Sequence, residues 1–155
     1  MEWIHNAIMG RSASSFIWRA ITQLILVIKL GLAWCIGMGE IVRIGIDAWS
    51  GCGNAPILPM EFRQTLKYAR IAQLSQITDG GKTTWLSQIW KSAQDLMILD
   101  NWSNKWNRYI GALEESHVRI IDREDEIIWA TSPQGHYTPT DGYAFLIKKQ
   151  ELVVA

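Results

Sequence analysis

A chain of 155 residues, 48% of them apolar, is long enough for one ordinary domain with a buried core and too short for two well-formed ones. Its 15 basic and 15 acidic residues cancel, which argues against the strong positive field of a dedicated nucleic-acid binder. Cys35 and Cys52 form no Cys-x-x-Cys pair and are too few for a secreted disulfide scaffold, so a reducing intracellular compartment, cytoplasm or nucleus, is the default expectation.

The chain opens on an acidic residue, Glu2, and shows no small-residue cleavage pattern after a compact apolar stretch, so no signal peptide is expected. Ser14 and Ser15 can cap a first helix in which Ile17, Trp18, Ile21, Leu24, Ile25 and Ile28 recur at helical spacing and Gly31 provides a stop. The apolar run Ala20 to Met38 is interrupted by Thr22, Gln23, Lys29, Gly31 and Gly37, so it does not read as a membrane span, and no membrane partner is expected. Leu32 to Ile36 and Ile41 to Ile46 flank Gly37-Met38-Gly39-Glu40, which predicts a β-hairpin and makes residues 12–49 a helix plus hairpin.

Residues 50–60 have loop composition, with Gly51, Gly53, Pro56 and Pro59. A helical section is predicted over 61–115. Thr84 precedes a stripe of Trp85, Leu86, Ile89, Trp90, Ala93, Leu96 and Met97, and Ser103 precedes Trp106, Tyr109, Ile110 and Leu113, so two helices are expected with a joint near Asp100. Residues 116–150 read as a hairpin plus helix. Ile127 to Ala130 is a short apolar strand, and Ser132-Pro133-Gln134-Gly135 suits a type I turn that returns His136 and Tyr137 beside it. Thr138 then caps a last helix with Pro139 in its first position and Asp141 three residues beyond the cap. The expected architecture is α+β over a single region, 1–155: an N-terminal helix and hairpin, a helical middle, and a C-terminal hairpin and helix that pack Trp129, Tyr137 and Tyr143 together. Nine tryptophans point to an aromatic-rich core or an unfilled interface.

Few residue groups suggest chemistry. Gly80-Gly81-Lys82-Thr83-Thr84 looks like the end of a phosphate-binding loop, yet Gln76 stands where the first glycine of that loop belongs, and a glycine turn before a Thr-capped helix is the favoured reading. Asp122, Glu124, Asp125 and Glu126 crowd into five positions, as in a solvated turn; metal-binding carboxylates are usually gathered from separate elements. For Asp125 a structural role is expected, accepting backbone N–H groups in the hairpin below Trp129. His5, His117 and His136 show no metal-ligand spacing with the cysteines, and no catalytic, cofactor-binding or metal residue is assigned. Residues 61–110 carry seven Lys or Arg against four acids. Within this basic stretch Lys91, Lys105 and Arg108, beside Trp102 and Trp106, are the residues that would contact nucleic acid. Helical spacing instead places Trp106 with Tyr109, Ile110 and Leu113 on a core stripe, and that reading is preferred. No small-molecule ligand is expected.

Several short motifs carry a resemblance. They are Ser15-Phe16-Ile17-Trp18-Arg19, Gly31 to Gly39 with its Trp34, Gly37 and Gly39, Ile44 to Trp49 with its Asp47 and Trp49, and finally Asp125 to Leu146 with Asp125, Trp129, Gly135, Tyr137, Thr138, Gly142 and Tyr143. In this order the chain resembles the segment of plant non-LTR retrotransposon polyproteins that lies between the reverse transcriptase and a zinc-binding domain. Met38 stands where that family usually has Asn, and Ala48 where it usually has Pro. The resemblance implies a parent that is an RNA-directed DNA polymerase, none of whose catalytic residues maps onto this chain. It implies a truncated, non-catalytic spacer fragment, without cofactor and not an enzyme. Cut from its neighbours, such a spacer is expected to be only partly stable alone.

Overall fold

The computed structural model describes residues 16–49, 57–78 and 89–154. Four α-helices among them, α1 (Phe16–Gly31), α2 (Met60–Tyr68), α3 (Asp100–Glu115) and α4 (Pro139–Val154), combine with a 3₁₀ helix (Leu74–Ile77) and two short strands, β1 (Leu32–Cys35) and β2 (Glu126–Trp129). The strands pair as an antiparallel two-stranded sheet, so the fold is α+β. Ser14, Ser15, most of the 50–60 loop, Trp85 and Gly80 to Thr84 lie outside the described residues.

The chain divides into two compact units, Ala33–Ala130 and Met1–Leu32 with Thr131–Ala155. The core of the first gathers Val42, Phe62, Leu74, Ile77, Trp106, Tyr109 and Leu113, all fully buried. Helix α2 follows Pro59 and sends Phe62 and Leu66, one turn apart, into that core. Trp106, Tyr109 and Leu113 recur at three- and four-residue spacing on α3, so the stripe read from the sequence is the buried face. Aromatic packing ties the elements together: Phe62 stacks on Trp102 at 5.1 Å, and Trp49 meets Tyr109 edge to face at 5.5 Å.

Three chain reversals in this unit use the same device. After α2, Ile71 N–H reaches Leu66 O and Arg70 takes φ 61°; after α3, Val118 N–H reaches Leu113 O and His117 takes φ 54°; at Met97, φ 52°, Ile98 N–H reaches Ala93 O. Each is a Schellman-type closure in which a left-handed residue lets the last carbonyls find donors. None of the three is glycine, so each turn carries some backbone strain.

Four expected elements differ in the structure. The first is the N-terminal hairpin. β1 pairs with β2 rather than with Ile41 to Ile46, and Trp34 makes a single parallel bridge to Trp49. Residues 42–44 lie against 72–74 instead, with Ile44 N–H on Ala72 O and Leu74 N–H on Val42 O. Second, β2 is no hairpin with His136 and Tyr137, which belong to no strand. The Ser132-Gly135 turn does form, with Gly135 N–H on Ser132 O at 3.1 Å. Trp129 is buried, whereas Tyr137 and Tyr143 are exposed.

Third, the helix expected from Thr84 to Met97 is not present over residues 89–97. Trp90 bridges Thr78, and Ser92 and Asp95 cap each other across a single turn, Asp95 N–H donating to Ser92 Oγ and Ser92 N–H to Asp95 Oδ2. Reciprocal capping followed by a left-handed Met97 ends the turn before a helix can grow. Fourth, α3 begins at Asp100, not after Ser103. The acid in its first turn favours that start, and the Trp102 stack on Phe62 holds it.

In the second unit α4 starts as the sequence predicts. Thr138 Oγ1 accepts Asp141 N–H at 3.1 Å and donates to Asp141 Oδ2 at 2.6 Å, with Pro139 in the first helical position. The Tyr137 ring lies over Gly142: a Cβ there would come within 2.5 Å of the phenol oxygen. Helix α1 packs on α4 and ends at Gly31, as expected, yet Phe16, Ile17, Leu24, Ile28 and Leu30 remain exposed.

Candidate functional site

The most highly built feature outside the core is a loop wrapped around a carboxylate. Asp125 Oδ1 accepts the backbone N–H of Gly37 at 2.7 Å and of Gly39 at 2.8 Å, and Oδ2 accepts that of Ile41 at 3.0 Å. Converging N–H groups of this kind form an anion-binding hollow, and here the anion is the chain's own side chain. The hollow is locked from outside by Met38 N–H on Arg123 O and Ile121 N–H on Gly37 O. Both glycines are required. A Cβ at Gly37 would overlap the Arg123 and Glu124 backbone, and Gly39 sits at φ 69°. The left-handed position is therefore residue 39, and Met38 occupies its place with φ in the ordinary negative range.

Asp125 accepts backbone N–H groups as the sequence suggests, but those of the Gly37 to Ile41 loop rather than of its own hairpin. This explains why the predicted N-terminal hairpin does not close. The loop curls round the carboxylate and β1 continues its pairing toward β2, so Ile41 to Ile46 leaves in another direction. Trp34 N–H donates to Ala48 O at 2.8 Å, which holds Trp49 beside β1. Asp47 closes the next turn, accepting Arg43 N–H at 2.8 Å and pairing with both Arg43 Nε and Nη2. Trp49 is buried in the core, and its indole N–H meets no acceptor among the described residues.

Among the described residues of the middle section, the two tryptophans nearest Lys105 and Arg108 are engaged in packing. Trp106 is fully buried with its indole N–H on Lys91 O at 3.1 Å, and Trp102 is half-covered by its stack on Phe62. Lys91 Nζ donates to Gln76 O at 3.2 Å, while Lys105 and Arg108 stand exposed on α3. Asp122, Glu124 and Glu126 are exposed and Asp125 is committed to the loop, so the acidic run does not converge on one point. Among the described residues no group of three or more His, Cys, Asp or Glu is placed to hold a metal. Cys35 is half-buried with Arg123 Nη2 on its sulfur at 2.6 Å.

Asp95 is held below the usual carboxylate range by the hydrogen bond from the Ser92 hydroxyl and then by the Ser92 N–H, which together outweigh a small effect of burial. Reasoning from the sequence missed the segment 116–121, whose turn at His117 brings Ile121 onto Gly37. It carries no sequence signal, because a histidine holds the left-handed position that is ordinarily read from glycine. Compared with family models, with curated proteins and with solved structures, the chain finds no match in any of the three.

Proposed function

We propose that this chain is a non-catalytic structural segment derived from the spacer of a plant non-LTR retrotransposon polyprotein, the stretch between the reverse transcriptase and the zinc-binding domain. The observation that supports this reading is the carboxylate-filled loop. Gly37, Gly39 and Asp125, which belong to separate motifs of the resemblance, serve one another's backbone geometry. Asp47, Thr138 and Gly142 act likewise, closing a turn, capping a helix and seating a ring. Residues used in this way hold a shape and leave no side chain over for bond making or breaking. A spacer needs just that, a fixed distance and orientation between its neighbours.

The alternative, a nucleic-acid module, would rest on the exposed Lys105 and Arg108. Fluorescence anisotropy with labelled single-stranded RNA and DNA, at about 50 and 200 mM salt, distinguishes the two. A spacer shows at most the weak non-specific affinity, roughly 10⁻⁴ M or poorer, of a protein without net charge. Affinity in the nanomolar range that falls steeply with salt and drops in Lys105→Gln and Arg108→Gln would establish the module instead.

A further inference from the structure

The larger unit carries a cleft whose two walls are fixed by backbone hydrogen bonds. On one side Trp34 N–H donates to Ala48 O at 2.8 Å and joins β1 to the segment that ends in Trp49. On the other, the left-handed turn at His117, with Val118 N–H on Leu113 O at 3.0 Å, and the bond from Ile121 N–H to Gly37 O hold residues 116–121 in place. The space between them, about 340 Å³, is of small-ligand size and lies wholly within this unit. Trp34, Ile36, Trp49 and Val118 line it with apolar surface that includes two indole rings. His117 and Arg119 line it too and are exposed, so they stand where it meets solvent. No acid is among the described residues that line it.

Trp49 supplies the observation that points to a ligand. It is only 2% exposed and its ring is set by the edge-to-face contact with Tyr109, yet its indole N–H meets no acceptor among the described residues. A buried donor without a partner is rare, because it gives up its bond to water and receives nothing in return. Trp106, equally buried, shows the ordinary arrangement, with its indole N–H on Lys91 O. The polar equipment of the cleft is thus a waiting donor and positive charge, set round flat apolar surface. A matching ligand has a ring to lie against the indoles, acceptor oxygens for the Trp49 N–H, and negative charge for Arg119, whose guanidinium grips a carboxylate through two parallel N–H bonds. We propose that the cleft binds a small aromatic carboxylate. This goes beyond the spacer reading and does not rest on it, since a scaffold can hold a ligand without transforming it.

The test is a titration of the nitrogen-15-labelled full chain with 2-naphthoate, followed through the indole N–H resonances of its nine tryptophans. The resonance absent from Trp49→Phe is that of Trp49, and sequential assignment identifies it without the variant. Expected is a saturable shift of this resonance, larger than that of the other eight, with a dissociation constant on the order of 100 μM. Arg119→Gln, at an exposed site, weakens binding about tenfold, and so does replacing the probe by the uncharged 2-naphthamide, because each removes a hydrogen bond between charged groups. Circular dichroism establishes that the variants fold. A Trp49 resonance unmoved by millimolar 2-naphthoate overturns the inference, as does a shift confined to other tryptophans. Equal affinity for 2-naphthoate and 2-naphthamide also overturns it by removing the acid from what the cleft recognises, and equal affinity for inorganic phosphate does so by removing the ring.

Discussion

The carboxylate of Asp125 accepts the backbone N–H of Gly37 at 2.7 Å across 88 residues of chain. The same oxygen holds Gly39 and the other holds Ile41, so one side chain satisfies three donors that a tight loop would otherwise leave without partners. Hydrogen bonds to a charged acceptor contribute about 1.5–3 kcal/mol each, and orphaned donors cost a further share. Asp125→Ala is expected to lower the stability of the chain by roughly 3 kcal/mol, and Asp125→Asn, which keeps one acceptor oxygen, by about half as much. Urea denaturation of both variants measures this.

The two compact units respond differently to substitution. Trp106 is fully buried, meets Phe62 and Tyr109, and donates to Lys91 O, so Trp106→Ala removes packing and a hydrogen bond together. A loss of about 3–5 kcal/mol is expected. Leu24 is exposed on α1, and Leu24→Gln is expected to cost less than about 1 kcal/mol. Thermal unfolding of the two variants side by side gives the comparison.

At Met97 the side chain is 90% exposed and φ is 52°, so the residue strains the backbone while packing little. Met97→Gly is predicted to stabilise by about 0.5–1 kcal/mol, the relief of left-handed strain exceeding the greater freedom of glycine in the unfolded chain. A rise in urea midpoint without a change of slope is the expected result.

Asp95 should titrate below its ordinary value because the Ser92 hydroxyl and N–H bind its charged form. The folded pKa lies below the unfolded one, so this stabilisation is present above the unfolded value and is lost as pH falls through the folded one. Carboxyl carbon NMR titration should find Asp95 depressed and Ser92→Ala returning it toward the ordinary range. An unchanged titration in the variant would remove Ser92 as the cause.

What could be read from the sequence was local. The Thr138–Asp141 cap, the Ser132–Gly135 turn, the helix ending at Gly31 and the buried stripe of α3 all depend on residues within a few positions of each other, where spacing dictates geometry. Partner choice was not legible. The apolar run Leu32 to Ile36 has no feature that prefers β2 to its near neighbour Ile41 to Ile46; the decision rests with Asp125, which lies far along the chain. Periodicity misled at 89–97, because a stripe of Trp, Ile, Ala and Leu counts apolar residues and takes no account of the Ser92–Asp95 pair that ends the turn. The chemical type of Asp125's role was visible, an acceptor in an acidic run, but not the loop it accepts from. The turn at His117 was not legible because left-handed positions are read from glycine, and here a histidine occupies one.

The role proposed for the motif residues is to hold a fixed scaffold. Near-ultraviolet circular dichroism of the full chain through a urea titration tests it most directly, since Trp49, Trp106 and Tyr109 report on the core that Asp125 helps to close. A sharp cooperative loss of signal is expected for the native sequence, and the same transition at lower urea for Asp125→Asn. A gradual, featureless decline in the native chain, or an unmoved midpoint in the variant, would contradict it.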